Sequence, residues 1–211
     1  DLNSNTVKLP IVLGDTHTNV RLLAECNWKT VMDAWAGFNQ ISATERARKY
    51  MQICTSDGLL QWNVMPFGVT NGPSCFQNIM QQHFSPIEKT MRTEHQAIIN
   101  FFFDDVALGS GRWDDPEADG IGSFKQHMGA LNCALERAAE ANVRFKLSKC
   151  CFVQKSVQLL GEIAGLGQVT ADPKKVAALS AWPTPTRAED VERFLCTLGF
   201  IRQYLTPQFS E

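Results

Sequence analysis

The amino-acid sequence predicts an α+β fold in which helices pack against an antiparallel sheet. Residues 28–33 combine aromatic and β-branched residues, and residues 97–108 are apolar on both sides of Asp104-Asp105, which is typical of strands. Two longer segments, which begin near Ser74 and Phe124, repeat apolar residues every three or four positions, which is typical of helices. Because strands and helices alternate and two further helical patterns follow, the order favours one α+β core with a helical appendix.

The composition is that of a globular protein. Of the 211 residues, 44% are hydrophobic, and this length is sufficient for one or two cores. The longest central apolar stretch, Ile98–Phe103, contains Asn100 and ends before Asp104, so it is too short to cross a bilayer. Seven cysteines without paired or ligand-like spacing indicate reduced thiols in an intracellular protein.

The charges are unevenly placed along the chain. The formal net charge of −2 argues against strong non-specific binding of nucleic acid by the chain as a whole. Residues 104–119 hold six acids and one arginine, whereas residues 144–187 hold seven bases and two acids. This arrangement suits a metal site beside a groove for a polyanion, and ordinary solvated faces are the alternative.

The first half of the chain contains a strand, a hairpin and a helix. Residues 28–33 form the predicted strand, which ends with Asp33 and leads into a turn at Gly37. A polar helical turn follows, and residues 50–64 then predict a hairpin around Ser56-Asp57-Gly58. After a loop rich in Pro and Gly, Ser74 is the predicted N-cap of the helix.

The second half begins with an apolar hairpin, residues 97–108, that carries Asp104-Asp105 at its tip. Helical periodicity and capping residues then predict the remaining elements. They are a Gly/Asp-rich loop (109–123), a helix (124–142), strands (143–147 and 151–161), a helix begun by Asp172-Pro173, and a last helix that extends to Leu205 from a capping box of Thr186 and Glu189.

The adjacent carboxylates Asp104 and Asp105 suggest a metal site. Two charges in an apolar hairpin are costly to bury unless a cation neutralises them, and Mg²⁺ binds carboxylate oxygens while keeping room for water and phosphates. Asp33 is the best third ligand because it ends a separate strand. Two Mg²⁺ ions held by these acids would assist phosphoryl transfer at a 3′-hydroxyl. Spacing alone also allows a simple turn, as expected for Asp114-Asp115 in the Gly-rich loop.

Several segments around these residues carry a more specific signal. They are Leu2-Asn3 with Leu9-Pro10, Asp33–Ile41 (DAWAGFNQI), Val64–Gln77 (VMPFGVTNGPSCFQ), Phe102–Asp105 (FFDD), Lys149–Phe152 (KCCF), Leu160-Gly161, and Asp172–Val176 (DPKKV) with Trp182–Pro185 (WPTP). In this order they are similar to motifs of the reverse transcriptases of gypsy-class long-terminal-repeat retrotransposons. The resemblance spans nearly the whole chain.

The resemblance implies a right-hand polymerase palm, which is a ferredoxin-like antiparallel sheet with helices on one face, together with partial fingers and a short helical thumb. It implies RNA-directed and DNA-directed DNA synthesis with Mg²⁺ as cofactor, or Mn²⁺ in its place. The implied partners are an RNA or DNA template with its primer, deoxynucleoside triphosphates, and the remaining polyprotein regions (fingers, ribonuclease H and integrase), with no membrane. The implied location is a cytoplasmic particle, the nucleus or both.

The resemblance also divides the chain into five parts. They are residues 1–22, a remnant of the fingers leading into the palm; 23–41, palm; 42–68, a hairpin next to the fingers; 69–165, palm with the catalytic hairpin and primer grip; and 166–211, the start of the thumb or connection helices. Because residues 1–6 contain neither an initiating Met nor a signal segment, we expect an internal piece of a polyprotein.

Catalytic roles follow from the matched motifs. Asp33 and Asp104 would be the principal metal ligands, Asp105 the supporting one, and the carbonyl of Ala34 would lie close by. Lys149 matches a lysine that protonates the leaving pyrophosphate, and a solvated surface lysine is the alternative.

Further matched residues would contact the substrates. Phe38 matches the aromatic residue that stacks under the incoming sugar and excludes a 2′-hydroxyl. Phe67 and Gln77 match residues near the nucleotide and template, and Phe102, Leu160 and Gly161 match residues near the primer or template. The alternatives are core packing for Phe38, packing or capping for Phe67 and Gln77, and a plain turn for Leu160-Gly161.

The chain departs from the family pattern at several points. Phe102 stands where the family has tyrosine, and Tyr50 stands where a lysine is usual. The acidic loop 112–122 is longer than in typical members. Family members also have a basic fingers region upstream, and because nothing in this chain replaces its cations, we expect the chain alone to be weakly active or inactive.

A second class of function stays open, namely a domesticated or incomplete module that acts as a non-catalytic binding or scaffolding domain. The three carboxylates favour catalysis, because a purely structural relative has no physical reason to hold an unneutralised acidic pair. A two-metal nuclease ranks lower, because the motifs do not supply its pattern of acids.

Overall fold

The computed structural model describes residues 2–10, 15–199 and 202–204. The α-helices are α1 (Thr16–Ala24), α2 (Glu45–Arg48), α3 (Gly72–Glu94), α4 (Ile121–Glu140), α5 (Pro173–Ser180) and α6 (Ala188–Gly199). The strands are β1 (Cys26–Asp33), β2 (Gln52–Thr55), β3 (Gly58–Gln61), β4 (Ala97–Phe102), β5 (Asp105–Arg112), β6 (Cys151–Gln154), β7 (Ser156–Leu159), β8 (Glu162–Gly165) and β9 (Gln168–Ala171). None of the helices in these ranges is long and apolar enough to span a membrane.

The central sheet has four strands in the order β4, β5, β1, β6, and each neighbouring pair is antiparallel. The connection from β1 to β4 contains α3, and α4 connects β5 to β6, which gives the βαββαβ order of a ferredoxin-like fold. The hairpin β2–β3 and the three-stranded sheet β7–β8–β9 are separate. The predicted α+β class with an antiparallel sheet is confirmed.

One face of the central sheet packs against the two long helices. Met32 of β1 and Val106 and Leu108 of β5 are fully buried, and they share one core with Met80 and Phe84 of α3. Residues of α4 complete this core. Because side chains alternate along a strand, every second residue of β1 and β5 faces these helices.

The opposite face is covered by α1 and the small sheet β7–β8–β9. Val31 of β1, Ala107 of β5 and Phe102 of β4 are buried there together with Leu23 of α1 and Leu159 of β7. Burial of both faces fixes the register of β1 against β5, because a slip by one residue would exchange the two faces.

A buried histidine links α4 to the sheet. His127 is fully buried, with Nε2 2.8 Å from the Thr30 hydroxyl and Nδ1 2.8 Å from the Ser110 hydroxyl. The N–H of Val153 donates to the same Thr30 oxygen over 3.1 Å, so the network joins α4, β1, β5 and β6. Burial lowers the pKa of His127 from 6.5 to about 4, and the ring is therefore neutral at pH 7.

Lys29 is fully buried on the other face of β1. Its ammonium group donates to the carbonyl of Cys26 and, over 3.0 Å, to the carbonyl of Lys155. Burial lowers the pKa of Lys29 to about 8. The side chain thus ties β1 to the turn between β6 and β7.

The Gly/Asp-rich loop is shorter than predicted. The sequence predicts a loop over residues 109–123, but β5 continues to Arg112 and α4 begins at Ile121. Pairing with β1 extends β5, since Ser110 lies opposite Trp28 and Arg112 lies opposite Cys26. Cross-strand hydrogen bonding therefore overrides the turn preference of the glycines in this segment.

The remaining loop is fastened to the end of β1 that lies away from Asp33. Asp119 forms an ion pair with Lys155, whose Nζ also donates to Asn27 over 2.9 Å and lies 3.6 Å from the centroid of the Trp28 ring. The amide of Asn27 donates to the carbonyl of Ala118 over 2.5 Å. These contacts give the acidic loop a structural role for which the sequence offered no assignment.

Ser74 is not the N-cap of α3, contrary to the prediction. The helix begins at Gly72 with Asn71 in the cap position, and the Ser74 hydroxyl donates to the carbonyl of Leu9 over 3.3 Å. The side chain of Asn71 accepts from the N–H of Leu9 and donates to the carbonyl of Val7. The N-terminal segment thus takes the polar groups that a local cap would use.

Residues 143–147 do not form the predicted strand. Phe145 makes a single bridge to Ala34, and a 3-10 helix, Leu147–Lys149, follows at once. The later strands of the predicted 151–161 segment are present as β6 and β7, whereas β8 and β9 were not predicted. Each of these strands has four residues, which is too short for a reliable alternating pattern.

The C-terminal helices agree with the sequence in part. Asp172 caps α5 as predicted, since its carboxylate accepts from the N–H of Lys174 over 2.9 Å. At the start of α6 the carboxylate of Asp190, one residue beyond the predicted Glu189, accepts from the N–H of Arg187 over 3.2 Å. The predicted end of this helix at Leu205 lies outside the described residues, as do the outermost residues of the predicted parts 1–22 and 166–211.

We expect His127 to make the fold sensitive to acid. Its pKa is lower in the folded chain than in the unfolded chain, so the stability present above pH 6.5 is lost as the pH falls towards 4. The substitution His127→Gln should remove roughly 2 kcal/mol of the change in unfolding free energy between pH 7 and 4.5, measured by urea titration. His83→Gln is the control, and equal pH dependence in His127→Gln and the parent would contradict this account.

Candidate active site

Three carboxylates meet where β1 ends and β5 begins. Asp33 and Asp105 are cross-strand partners in the β1–β5 ladder, so their side chains leave the same face of the sheet. Asp104 precedes Asp105 in the turn between β4 and β5. The structure thus brings together the three acids that the sequence singled out.

The turn that carries Asp104 is held by two neighbours. Phe103 has a left-handed φ of 49°, and the N–H of Ala34 donates to the carbonyl of Asp104 over 2.6 Å. The amide of Gln77 accepts from the N–H of Phe103 over 2.9 Å and donates to the carbonyl of Phe101 over 3.2 Å. Gln77 is 5% exposed, so its amide supports the acidic turn from below.

The carboxylates carry negative charge that is only partly compensated. Burial, followed by the charges of Asp33 and Asp104, raises the pKa of Asp105 from 3.8 to about 6. Burial and the charge of Asp33 also raise the pKa of Asp104. Oδ1 of Asp104 is buried and has no hydrogen-bond partner among the residues that the structure describes.

Lys149 supplies a cation to this cluster. Its Nζ lies 3.0 Å from Oδ2 of Asp33, and the side chains are 56% and 22% exposed, respectively. The hydrogen bond to Asp33 raises the pKa of Lys149, which keeps the ammonium group protonated at neutral pH. The backbone supports this contact, because the N–H of Lys146 donates to the carbonyl of Asp33 over 2.8 Å.

The donor set fits a hard divalent cation in its chemistry. Carboxylate oxygens are the ligands that Mg²⁺ and Mn²⁺ take in proteins, and the unpartnered Asp104 oxygen is a buried group in need of a positive partner. The three carboxylates are neighbours but do not form a complete ligand set, since no three His, Cys, Asp or Glu residues in the described part of the chain have the spacing of a metal site. Lys149 occupies one of the Asp33 oxygens.

An aromatic surface borders the carboxylates. The Phe38 ring is partly buried and lies 5.2 Å from the Phe67 ring and 5.9 Å from the Phe76 ring, measured between centroids. Gly37 allows the close approach, because a Cβ there would lie 2.6 Å from Oδ1 of Asp104. Phe67 is 65% exposed, so this pair combines a packed ring with a solvent-facing one.

Of the three residues predicted near the primer, Phe102 is the cross-strand partner of Asp105, whereas Leu160 and Gly161 lie between β7 and β8. Phe102 is 3% exposed and packs in the core beneath β7, so in this conformation its ring contacts protein. Leu160 and Gly161 form the turn between β7 and β8 with φ values of 52° and 79°, and Leu160 is half exposed. The side chain of Lys175 lies over Gly161 where a Cβ would be.

Asp114-Asp115 is separate from this cluster. Asp114 follows the far end of β5 and forms an ion pair with Arg112 over 2.9 Å. Its pKa is lowered by the hydrogen bond from Arg112, whereas the pKa of Asp105 is raised. Asp114 and Asp105, which lie in similar sequence contexts, thus have opposite electrostatic surroundings.

The support from Gln77 and Lys146 was not found from the sequence. Gln77 was matched to a residue near the nucleotide, whereas the structure uses both ends of its amide on the β4–β5 hairpin. The three bases Arg144, Lys146 and Lys149 lie within six residues, which was a possible signal for a basic segment beside Asp33. Its pairing partner could not be read from the sequence, because the contact spans more than a hundred residues.

Comparison with known proteins identifies relatives of this arrangement. A family model described as "Reverse transcriptase (RNA-dependent DNA polymerase)" matches residues 3–163. Over 90% of this chain, it is 26% identical to the retrovirus-related Pol polyprotein from transposon 297 of Drosophila melanogaster. Over 95% of this chain, it is 27% identical to the Pol polyprotein from transposon opus of the same species. The Pol polyprotein from transposon gypsy of the same species is 26% identical over 87% of the chain. The chain spans only 16%, 18% and 16% of these three relatives.

Solved structures with a similar fold include the foamy viral protease-reverse transcriptase. Its complex with an RNA/DNA hybrid gives a TM-score of 0.74 at 15% identity, over 95% of this chain and 25% of that one. The form named dRH, in complex with double-stranded DNA, gives 0.79 at 16% identity, over 95% of this chain and 32% of that one. At these identities the likeness is one of fold, and it confirms the expected polymerase palm.

We expect the substitution Asp105→Asn to stabilise the metal-free protein at pH 7.5. The pKa of Asp105 is higher in the folded chain than in the unfolded chain, so its contribution is favourable below pH 3.8 and is lost as the pH rises through 6. Removing the charge should raise the unfolding free energy by roughly 1–2 kcal/mol at pH 7.5 in EDTA, and by much less at pH 4. Asp114→Asn is the control. A loss of stability in Asp105→Asn at pH 7.5 would show that its charge is compensated.

Proposed function

The chain belongs to the reverse transcriptase (RNA-dependent DNA polymerase) family, and we propose that it forms the polymerising centre of a retrotransposon Pol polyprotein. Its similarity to Pol polyproteins, including that of gypsy, confirms the resemblance seen in the sequence. The observation that carries the proposal is the meeting of Asp33, Asp104 and Asp105 at the ends of adjacent antiparallel strands. The reaction would be RNA-directed and DNA-directed DNA synthesis from deoxynucleoside triphosphates on a primed template.

Asp33, Asp104 and Asp105 would hold Mg²⁺, or Mn²⁺ in its place, with the carbonyl of Ala34 nearby. An ion held by these residues would supply Lewis acidity toward a primer 3′-hydroxyl and positive charge opposite the phosphates. The chain itself orients the ligands, since the β1–β5 ladder fixes Asp33 opposite Asp105 and the Ala34 N–H holds the turn at Asp104. Gln77 acts here as a positioning residue beneath the hairpin.

Lys149 would donate its Nζ proton to the leaving pyrophosphate. Its ammonium group is protonated at neutral pH and is already within hydrogen-bond distance of Asp33, at the edge of the cluster. Arg144 and Lys146 belong to the same basic segment and would add positive charge beside the phosphates. Positioning and charge stabilisation supply most of the rate enhancement in phosphoryl transfer. The basic segment would therefore stabilise charge on the phosphates, while the acids would hold the metal.

The nucleotide would lie against Phe38 and Phe67, and the primer terminus against the Leu160-Gly161 turn. Phe38 is held by Phe76 from behind, which gives the firm surface that steric exclusion of a 2′-hydroxyl requires. The proposed division of the chain follows the same scheme, with palm in 23–41 and 69–165, a hairpin near the fingers in 42–68, and the outer parts 1–22 and 166–211 leading to fingers and thumb. Template, primer and the other polyprotein regions are the proposed partners.

The test is primer extension by a polypeptide that contains this chain and the flanking sequence of its source. We expect Asp104→Asn to lower Mg²⁺-dependent extension at least about 100-fold on both RNA and DNA templates. Asp114→Asn, which removes the same charge outside the site, should retain activity. Extension that withstands Asp104→Asn, or no extension by the parent polypeptide, would favour a non-catalytic module.

We expect Phe38→Val to relax sugar discrimination. A smaller side chain leaves room for the 2′-hydroxyl, so kcat/KM for ribonucleotides should rise relative to deoxyribonucleotides by about tenfold. Steady-state single-nucleotide insertion measures this ratio. The matched control is Phe124→Val, which changes a half-exposed ring that packs against Trp28 near the start of β1. An unchanged ratio in Phe38→Val would assign this ring to core packing alone.

A further inference from the structure

The ion pair between Lys149 and Asp33 lies within the proposed metal site. Nζ of Lys149 is 3.0 Å from Oδ2 of Asp33, which is one of the oxygens that a metal ion would need. The backbone brings Lys149 to this place, because its N–H donates to the carbonyl of Lys146, whose own N–H donates to the carbonyl of Asp33. The contact is therefore set by a short turn joined to β1.

This ammonium group compensates the acidic cluster incompletely. It bonds to Asp33, whereas a buried oxygen of Asp104 has no hydrogen-bond partner in the described part of the chain. Three close carboxylates and one exposed ammonium group leave net negative charge at the site. A divalent ion would neutralise more of this charge than Lys149 does.

We propose that Lys149 is an internal counter-ion that occupies Asp33 until a divalent metal ion displaces it. The proposal deepens the function proposed above and rests on it. Metal binding and release of the Lys149 ammonium group are then one exchange of cations at Asp33. The released ammonium group becomes available to the phosphates at the step that needs it.

The structure permits such an exchange. Lys149 is more than half exposed, and Asp33 is its one side-chain partner among the described residues. Exposed ion pairs are weak, and a lysine side chain is long and flexible, so the contact can break without disturbing the fold. Lys146 provides a comparison, because it lies three residues away and no ion pair connects its side chain to Asp33 in the described structure.

The exchange predicts a linkage between the two cations. Because each ion excludes the other from Asp33, removal of the ammonium group must strengthen metal binding. We expect Lys149→Met to tighten Mn²⁺ binding by about three- to tenfold. The measurement titrates the polypeptide used for primer extension with Mn²⁺ and detects the free ion by electron paramagnetic resonance. Lys149→Arg, which keeps the charge, should bind Mn²⁺ with nearly the parent affinity.

Two further measurements make the test specific. Lys146→Met removes the same charge from the same segment and should change Mn²⁺ affinity by less than about twofold. In the parent protein, the ¹⁵N-labelled side-chain ammonium resonance of Lys149 should report an ion pair that titration with Mg²⁺ abolishes. The Asp104→Asn variant should bind the metal weakly and keep this resonance.

The outcomes separate the inference from the proposed function. Mn²⁺ binding that depends on Asp104 but is unchanged or weakened in Lys149→Met would overturn the inference and leave the proposed metal site intact. An equal gain in Mn²⁺ affinity in Lys149→Met and Lys146→Met would overturn it as well, because the effect would then come from the general positive charge of the segment. Equal Mn²⁺ binding by the parent and Asp104→Asn would overturn both.

Discussion

The register between β1 and β5 is the constraint on which the site depends. It places Asp33 opposite Asp105, and burial on both sides of the sheet fixes it. Val31 and Met32 are adjacent in β1 but belong to different cores, so a slip by one residue would expose one apolar set and bury polar groups on the other side. Packing on both faces thus holds the like charges of Asp33 and Asp105 together, although their repulsion would separate them if the strands could shift.

The fold tolerates this repulsion because neighbouring groups hold the carboxylates in place. Gln77 and the Ala34 N–H use their hydrogen bonds on the turn around Asp104, and Lys149 offsets charge at Asp33. None of these contacts removes the unfavourable burial at Asp105, whose pKa is about 6. A domain with only a scaffolding role would gain stability by losing that charge, so the carboxylates are better explained by a cation that binds them during function.

The sequence was informative where local pattern and tertiary contact agree. The hairpin over residues 97–108 and the helices α3 and α4 have long apolar patterns, and the motif Asp33–Ile41 singles out Asp33. The acidic loop, the 143–147 segment and the start of α3 were predicted less well, because partners distant in sequence decide them. Ser74, for example, is a good local cap, but Leu9 from the N-terminal segment takes its hydroxyl. The role of Gln77 has the same origin, since only the folded chain brings its amide under the β4–β5 hairpin.

The core between the central sheet, α1 and the small sheet β7–β8–β9 also explains how the chain accommodates phenylalanine at position 102. The Phe102 ring packs with Val31 and Ala107 of the sheet and Leu159 of β7, and it is almost fully buried. A tyrosine at this position would bring a hydroxyl that needs a hydrogen-bond partner, either within this apolar cluster or at its border. Phenylalanine keeps the contact between the central sheet and the β7–β8 hairpin without that requirement. The ring therefore connects the hairpin carrying Asp104 and Asp105 with the Leu160-Gly161 turn, so that β4 can position both through one packed side chain.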